Sequence, residues 1–214
     1  MPRDQATSRK VANALYRHTR RTVQASGLPV FEVNDVQQRG DSFGARLANA
    51  FADAFAAGYE HIIAVGSDCP RLHEVDWQSV AAQLNDGVPV LGPTSDTHGA
   101  YLIGLSRAQF DHEAFAALPW QSPDLLDTLA DHLIGRAGQS PARLAAREDI
   151  NNPRDLWALV HVAVSHLRAL IARLRDALGY TVAYPPPVGR IASVDRAHIP
   201  SSRAPPAEGL LVLP

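Results

Sequence analysis

One short apolar stretch constrains most strongly what this chain can fold into. Residues 61–65 read His-Ile-Ile-Ala-Val, the run stops at Gly66, and Asp68 and Pro70 follow within four residues. Such a run predicts a buried β-strand with an abrupt end. In open α/β sheets, ligands collect beyond the carboxyl ends of the strands. Asp68 is therefore the first candidate for a functional residue.

The composition narrows the class of protein. The chain has 214 residues, 46% of them hydrophobic, so it can bury the core of one domain. A formal charge of -2 argues against nucleic acid or an anionic membrane as partner. The single cysteine, Cys69, excludes an internal disulfide and a multi-cysteine metal site, and its setting favours a small buried residue over a nucleophile. No apolar run suggests a membrane span and no signal-peptide pattern is present, so we expect a cytoplasmic protein.

Strands and helices alternate along the first 180 residues. This order predicts one α/β domain over residues 1–180 with a mostly parallel sheet. The predicted strands cover residues 28–33, 61–65, 88–91 and 101–105, with a short one within 141–147. The predicted helices cover residues 8–26, 44–57, 74–84, 107–117, 122–134 and 153–178. Residues 181–214 are rich in proline and show no sustained period, so we predict an extended or disordered tail.

Several polar residues follow predicted strands and can carry chemistry. A carboxylate such as Asp68 directly after a buried strand can hold Mg²⁺ or Mn²⁺ against a substrate diphosphate, or it can simply cap the turn. The loop with Asp96 and His98 suits a binding edge, although the residues by themselves favour a structural turn. Asp149 is a candidate second metal ligand or part of a helix start.

A glycine-containing loop precedes the helix predicted to begin near Gly44. Residues 37–44 are polar, and free backbone amides at a helix N-terminus suit an anion such as a diphosphate. Glycines also serve ordinary turns, so the spacing alone leaves both interpretations open. The basic face of the first helix likewise fits either a solvated surface or a patch that attracts phosphate.

The ordered set of motifs resembles a known family. The motifs that carry this similarity are residues 38–47, Gly66 to Pro70, Leu91 to Asp96 with Tyr101 to Leu105, and Leu118 to Trp120. Through them the chain is similar to the bacterial glycosyltransferase-like proteins also called selenodomain-associated transferases. These are distant relatives of the GT-A glycosyltransferases and of nucleotidyltransferases. The resemblance covers residues 8–157 and implies a GT-A-like Rossmannoid three-layer sandwich.

The resemblance also implies roles for particular residues. Asp68 matches the metal-binding acid of the fold, and Asp149 and Asn151 resemble an element that makes a second metal contact. A segment near the nucleotide corresponds to Gly40, Asp41, Gly44 and Arg46. Asp96 lies in the loop that lines the acceptor pocket, where Asp96 or His98 orients or deprotonates the acceptor. The implied partners are a nucleotide sugar or nucleoside triphosphate and a small-molecule acceptor that the sequence does not identify.

Two departures from the family pattern bear on function. The loop after Asp96 reads Thr-His-Gly-Ala where relatives have two glycines. Relatives also open with an apolar strand and a basic loop, whereas residues 1–7 here are polar and lead at once into a helix. The expected sheet therefore lacks its first strand, which implies a start assigned too far downstream or an incomplete nucleotide site. The leading hypothesis is a metal-dependent, nucleotide-sugar-dependent transferase; the alternatives are nucleotidyl transfer and a degenerate ligand-binding member without catalysis.

Overall fold

The computed structural model of the chain describes residues 5–34, 36–95, 99–161, 164–180 and 208–212. Its α-helices are α1 (Gln5–Gln24), α2 (Phe43–Ala56), α3 (Trp77–Asn85), α4 (His112–Ala116), α5 (Leu125–Ala137), α6 (Pro153–His161) and α7 (Arg168–Ala177). Its strands are β1 (Val30–Glu32), β2 (His61–Val65), β3 (Val90–Pro93), β4 (Ala100–Ser106), β5 (Ala142–Arg143) and β6 (Glu208–Val212). Short 3₁₀ turns at Leu72–Glu74, Arg107–Gln109 and Ser165–Leu167 complete the described elements.

The strands form one mixed sheet in the order β1-β6-β2-β4-β3-β5. Strand β4 runs antiparallel to both of its neighbours, β2 and β3, and the other adjacent pairs are parallel. Helices cover both faces, which gives the three layers of a GT-A-like α/β fold. The predicted fold class is therefore confirmed, with a single antiparallel strand within the described sheet.

The alternation of side chains in β2 divides the core between the two faces. Ile62 and Ala64 pack into the cluster formed with α2, α4 and α5. Ile63 and Val65 face the opposite side and pack with residues of α1 and α3. All four are at most 3% exposed, so β2 is the buried strand that its run of apolar residues predicts.

The interior of the sheet contains a strand that the sequence did not predict. β6 lies between β1 and β2 and pairs in parallel with both, with Leu210 opposite Val30 and Ile63. The described sheet therefore has no gap between β1 and β2, although the first described element of the chain is a helix and not a strand. Residues 181–207, 213 and 214 lie outside the described residues, so the predicted extended or disordered tail stays a prediction for that part.

Several predicted helix boundaries are wrong. The helix predicted over residues 107–117 is a 3₁₀ turn at Arg107–Gln109 followed by α4, and the helix predicted from residue 122 begins at Leu125. The helix predicted over residues 153–178 is divided into α6 and α7, which meet at 111°. Val164 between them has an extended backbone (φ -103°, ψ 119°), and the bend lets both helices pack on α1. The helix predicted to end at Gly135 continues to Gly138, whose φ of +71° permits the left-handed cap.

In the part of the chain that the structure describes, no single helix is long and apolar enough to cross a membrane. Only α6 and the segment from Ser165 through α7, taken together across their bend, reach the required length and composition.

Candidate functional site

Asp68 lies where β2 ends, and the loop that carries it is fixed from two sides. Thr19 of α1 donates its hydroxyl hydrogen to the Ser67 carbonyl at 3.2 Å. The backbone N–H of Ile150 donates to the Asp68 carbonyl at 2.9 Å. A Cβ at Gly66 would lie 2.6 Å from the Asp68 Oδ1 atom, so only glycine lets the carboxylate fold back over the strand end.

The environment of Asp68 favours its neutral form. Burial raises the pKa of the Asp68 carboxyl group, and the nearby negative charge of Asp149 raises it further. A hydrogen bond with its own backbone N–H opposes these effects without cancelling them. Raised carboxyl pKa values are typical of sites where a cation or a proton is handled, although structural acids show them too.

Cys69, the next residue, is not a nucleophile candidate in this setting. Its side chain is fully buried, and burial raises the pKa of its thiol to about 12. The thiol therefore stays protonated near neutral pH. This agrees with the prediction that Cys69 fills the core.

Asp68 opens into a cavity of about 360 Å³, called the Asp68 cavity below. It lies at the carboxyl end of β2, between the start of α2, the start of β4 and the segment before α5. The polar side chains that line it include Asp68, Asn151, Gln121 and Ser122. A mostly apolar cavity with a few convergent polar groups is the usual form of a small-molecule site.

One side of the Asp68 cavity is formed by two aromatic rings, Phe43 and Trp120, called the aromatic wall below. Their centroids are 5.6 Å apart. The Trp120 indole donates its Nε1 hydrogen to the Phe115 carbonyl at 2.8 Å and packs edge-on against the Phe115 ring. A Cβ at Gly44 would lie 2.3 Å from Trp120 Cδ1, so the indole rests directly on the α2 backbone.

Gln121, beside the aromatic wall, has an unusual backbone. Its φ is +68°, and it is the only residue other than glycine with a positive φ in the described part of the chain. That conformation costs an L-amino acid about 1–2 kcal/mol, and glycine or asparagine would adopt it more easily. Backbone strain at a cavity edge is a reason to ask what the side chain does there.

The predicted nucleotide-binding residues have different surroundings. Gly40 has a φ of +123°, which glycine alone adopts readily, and Gly44 is a packing residue beneath Trp120. Asp41 is exposed and Arg46 is half-buried. None of the four lines the Asp68 cavity, which α2 borders through Phe43 and Leu47. Their assignment to a nucleotide stays a prediction.

The structure brings two of the predicted acids together. Asp149 acts electrostatically on Asp68, and it lines a second cavity of about 380 Å³ that continues toward α6. Among the described residues, no group of three or more acidic, histidine or cysteine side chains is placed to hold a metal ion. Asp96 and His98 lie outside the described residues, but Gly99 and Ala100, which follow them, line the Asp68 cavity.

The aromatic wall and Gln121 were not predicted as site residues. Trp120 entered the sequence analysis only as part of a family motif, and Gln121 not at all. The available signal was the sequence Leu-Pro-Trp-Gln, which interrupts two helical stretches over residues 118–121. Nothing in that sequence indicates that the segment packs against the start of α2, about 75 residues earlier in the chain.

Comparison with known proteins agrees with this architecture. The fold is similar to the crystal structure of a protein from Desulfovibrio desulfuricans G20, provisionally named a nucleotide-diphospho-sugar transferase. The TM-score is 0.58 at 24% sequence identity, over 78% of this chain and 84% of the other, a likeness that establishes the fold alone. No functionally curated protein matches the chain.

A family profile gives a more direct assignment. The profile described as an uncharacterized protein conserved in bacteria (DUF2064) matches residues 5–122. This range contains β2, Asp68, the start of α2 and the aromatic wall. Because the match spans more than half of the 214 residues, the chain belongs to this bacterial family.

Proposed function

We propose that the protein transfers a sugar from a nucleotide-activated donor to a small-molecule acceptor, with Mg²⁺ or Mn²⁺ held by Asp68 and Asp149. The observation that carries this proposal is the position of the Asp68 carboxylate. It follows a buried strand, lines a cavity and interacts electrostatically with a second acid, Asp149. The fold shared with a provisionally named nucleotide-diphospho-sugar transferase supports the choice of donor.

The chemistry of the two acids fits a divalent cation. The repulsion that Asp149 exerts on the Asp68 carboxylate is relieved when a cation lies between the two acids. Mg²⁺ commonly takes one or two carboxylates from the protein and fills its remaining positions with water and substrate phosphates. Asp68 and Asp149 would supply these two carboxylates, and the Asn151 side chain at the Asp68 cavity offers a further oxygen. When bound, the cation would neutralise the charge that develops on the diphosphate leaving group.

The remaining roles follow the family resemblance. We place the nucleotide near Gly40, Asp41 and Arg46, beyond the N-terminus of α2. Asp96 or His98 would orient or deprotonate the acceptor, since the residues that follow them border the Asp68 cavity. Gly44 serves this arrangement indirectly, because it allows the Trp120 ring to lie against the helix.

Calorimetric titration of the full chain tests the proposal. Nucleotide sugars and nucleoside triphosphates are each titrated with and without Mn²⁺ into the wild type and into Asp68→Asn. The matched control is Asp131→Asn, because Asp131 is an exposed acid on α5 far from the described cavity lining. We expect cation-dependent binding of at least one nucleotide sugar, lost in Asp68→Asn and kept in the control.

Other outcomes contradict the proposal in distinguishable ways. Binding of a triphosphate with no nucleotide sugar would indicate nucleotidyl transfer. Binding that ignores both Mn²⁺ and Asp68→Asn would remove the metal site. A folded wild type that binds neither class would favour a member of the family without catalysis.

A further inference from the structure

Several contacts hold Trp120, one of the two rings of the aromatic wall, in place. The Trp120 ring is held by its hydrogen bond to Phe115, by edge-on packing on that ring and by contact with the Gly44 backbone. Phe43 completes the wall with 39% of its surface exposed. A fixed, partly uncovered aromatic surface inside a cavity offers a stacking platform for a ring.

The Gln121 side chain is available beside this platform. Within the described part of the chain, no hydrogen bond engages its amide group. The backbone there would be less strained with glycine, yet the position holds a side chain with one acceptor and two donor hydrogens. Because Gln121 is exposed at the cavity edge, its amide group can exchange water for a ligand hydroxyl without first breaking a protein hydrogen bond.

The polar groups of the cavity select against a charged ligand. No arginine, lysine or histidine occurs among the described residues that line it. Among the described lining residues, Asp68 is the only acid, and its ionised form repels phosphate in the absence of a cation. Carboxylate, amide and hydroxyl groups that line one cavity together with an aromatic wall instead suit several neutral hydroxyl groups on one ring.

We propose that the Asp68 cavity is the subsite for an uncharged sugar ring, which stacks on the aromatic wall and hydrogen bonds to Gln121, while the nucleotide phosphates lie outside it. This inference rests on the proposed function for the identity of the substrate and adds where its sugar binds. Gln121 is then a specificity-determining residue, because its amide meets hydroxyl groups whose positions differ between sugars.

Ligand-observed NMR with simple probes tests the subsite. The probes are methyl hexopyranosides of the gluco, galacto and manno series, which carry no phosphate, together with the nucleoside diphosphates UDP and GDP. At least one methyl glycoside should bind without a divalent cation and compete with no nucleoside diphosphate. We expect Gln121→Gly and Phe43→Ala each to weaken its binding about tenfold, the effect of one hydrogen bond or one stacked ring.

Matched controls separate recognition from folding. Gln121→Gly relieves the positive φ, so its unfolding temperature should equal or exceed that of the wild type while sugar binding falls. Gln78→Gly, on the exposed face of α3, should show the reverse: a lower unfolding temperature and unchanged binding. Trp157→Ala is the control for Phe43→Ala, because Trp157 is 60% exposed and outside the cavity lining.

The outcomes distinguish a wrong subsite from a wrong function. Nucleotide-sugar binding that is lost in Asp68→Asn but unchanged in Gln121→Gly and Phe43→Ala would overturn the subsite and leave the transferase proposal standing. Methyl glycoside binding that depends on Gln121, in a protein that binds no nucleotide sugar, would support the subsite and overturn the proposed donor. Failure of every methyl glycoside to bind at its solubility limit would overturn the subsite, as would displacement of a bound glycoside by UDP or GDP.

Discussion

Removal of β6 should abolish most of the stability of the fold. The strand pairs with three residues of β1 and five of β2, so its loss leaves ladder groups unpaired on both neighbours. If each paired position contributes one hydrogen bond with a net value of about 1 kcal/mol, the free energy of unfolding falls by about 5–8 kcal/mol. Since a domain typically unfolds at a cost of about 5–15 kcal/mol, a chain that ends at Ala207 should be largely unfolded or close to it.

Strand β1 should report this loss most directly. It occupies one edge of the described sheet and is attached to it through β6 alone. In the shortened chain, the amide hydrogens of residues 30–32 should exchange with solvent at the rate of an unstructured segment. Addition of a synthetic peptide of residues 208–214 should restore part of their protection, because the slot between β1 and β2 accepts a parallel strand.

Urea unfolding followed by circular dichroism measures the effect. The full chain is compared with the chain that ends at Ala207 and with Leu210→Pro, which removes one ladder donor from the middle of β6. As a control, residues 186–195 are replaced by a Gly/Ser segment of equal length, which keeps the reach of the connection. Equal urea midpoints for the shortened and full chains, together with unchanged protection of residues 30–32, would refute the assignment of β6 to the sheet.

Three further predictions test other parts of the structure. Asp68→Asn should stabilise the cation-free protein near neutral pH, because folding raises the pKa of this carboxyl and its ionisation therefore costs stability. This gain should vanish as the pH falls below the ordinary aspartate pKa. In thermal unfolding, added Mn²⁺ should stabilise only the wild type. Gly44→Ala should lower the free energy of unfolding in urea by about 1–3 kcal/mol, because the added Cβ meets a packed indole and a carbonyl. Gly135→Ala, which has open space around it inside α5, should raise it by up to about 1 kcal/mol. Equal effects of the two substitutions would contradict this packing. Glu74→Gln should cost about 1 kcal/mol, because Glu74 is 41% exposed but pairs with an Arg147 side chain that is only 10% exposed. Burial acts to raise the pKa of Glu74, but the ion pair with Arg147 outweighs it and lowers this pKa. The stabilisation is therefore present at neutral pH and should disappear as the pH falls through the lowered pKa. A difference in stability between Glu74→Gln and the wild type that persists in acid would exclude the ion pair as its cause.

Local patterns in the sequence determined the layers of the fold and the place of Asp68. An apolar run that ends at Gly66 can only be a buried strand with a polar loop after it, and β2 is that strand. Helix α2 likewise follows from its apolar period and the Ser42 cap. These features depend on contacts between near neighbours in the chain, which the order of residues specifies directly.

Tertiary structure decided the features that depend on distant contacts. The short apolar segment 208–212 becomes an interior strand only because β1 and β2 leave a slot between them, which no local pattern within the proline-rich region indicates. The bend between α6 and α7 arises from their shared packing on α1. The aromatic wall joins residues about 75 positions apart, and Gln121 beside it has a positive φ against its intrinsic preference. Local sequence patterns specify the strand and the carboxylate that follows it. The cavity around them forms only when segments that are distant in the chain come into contact.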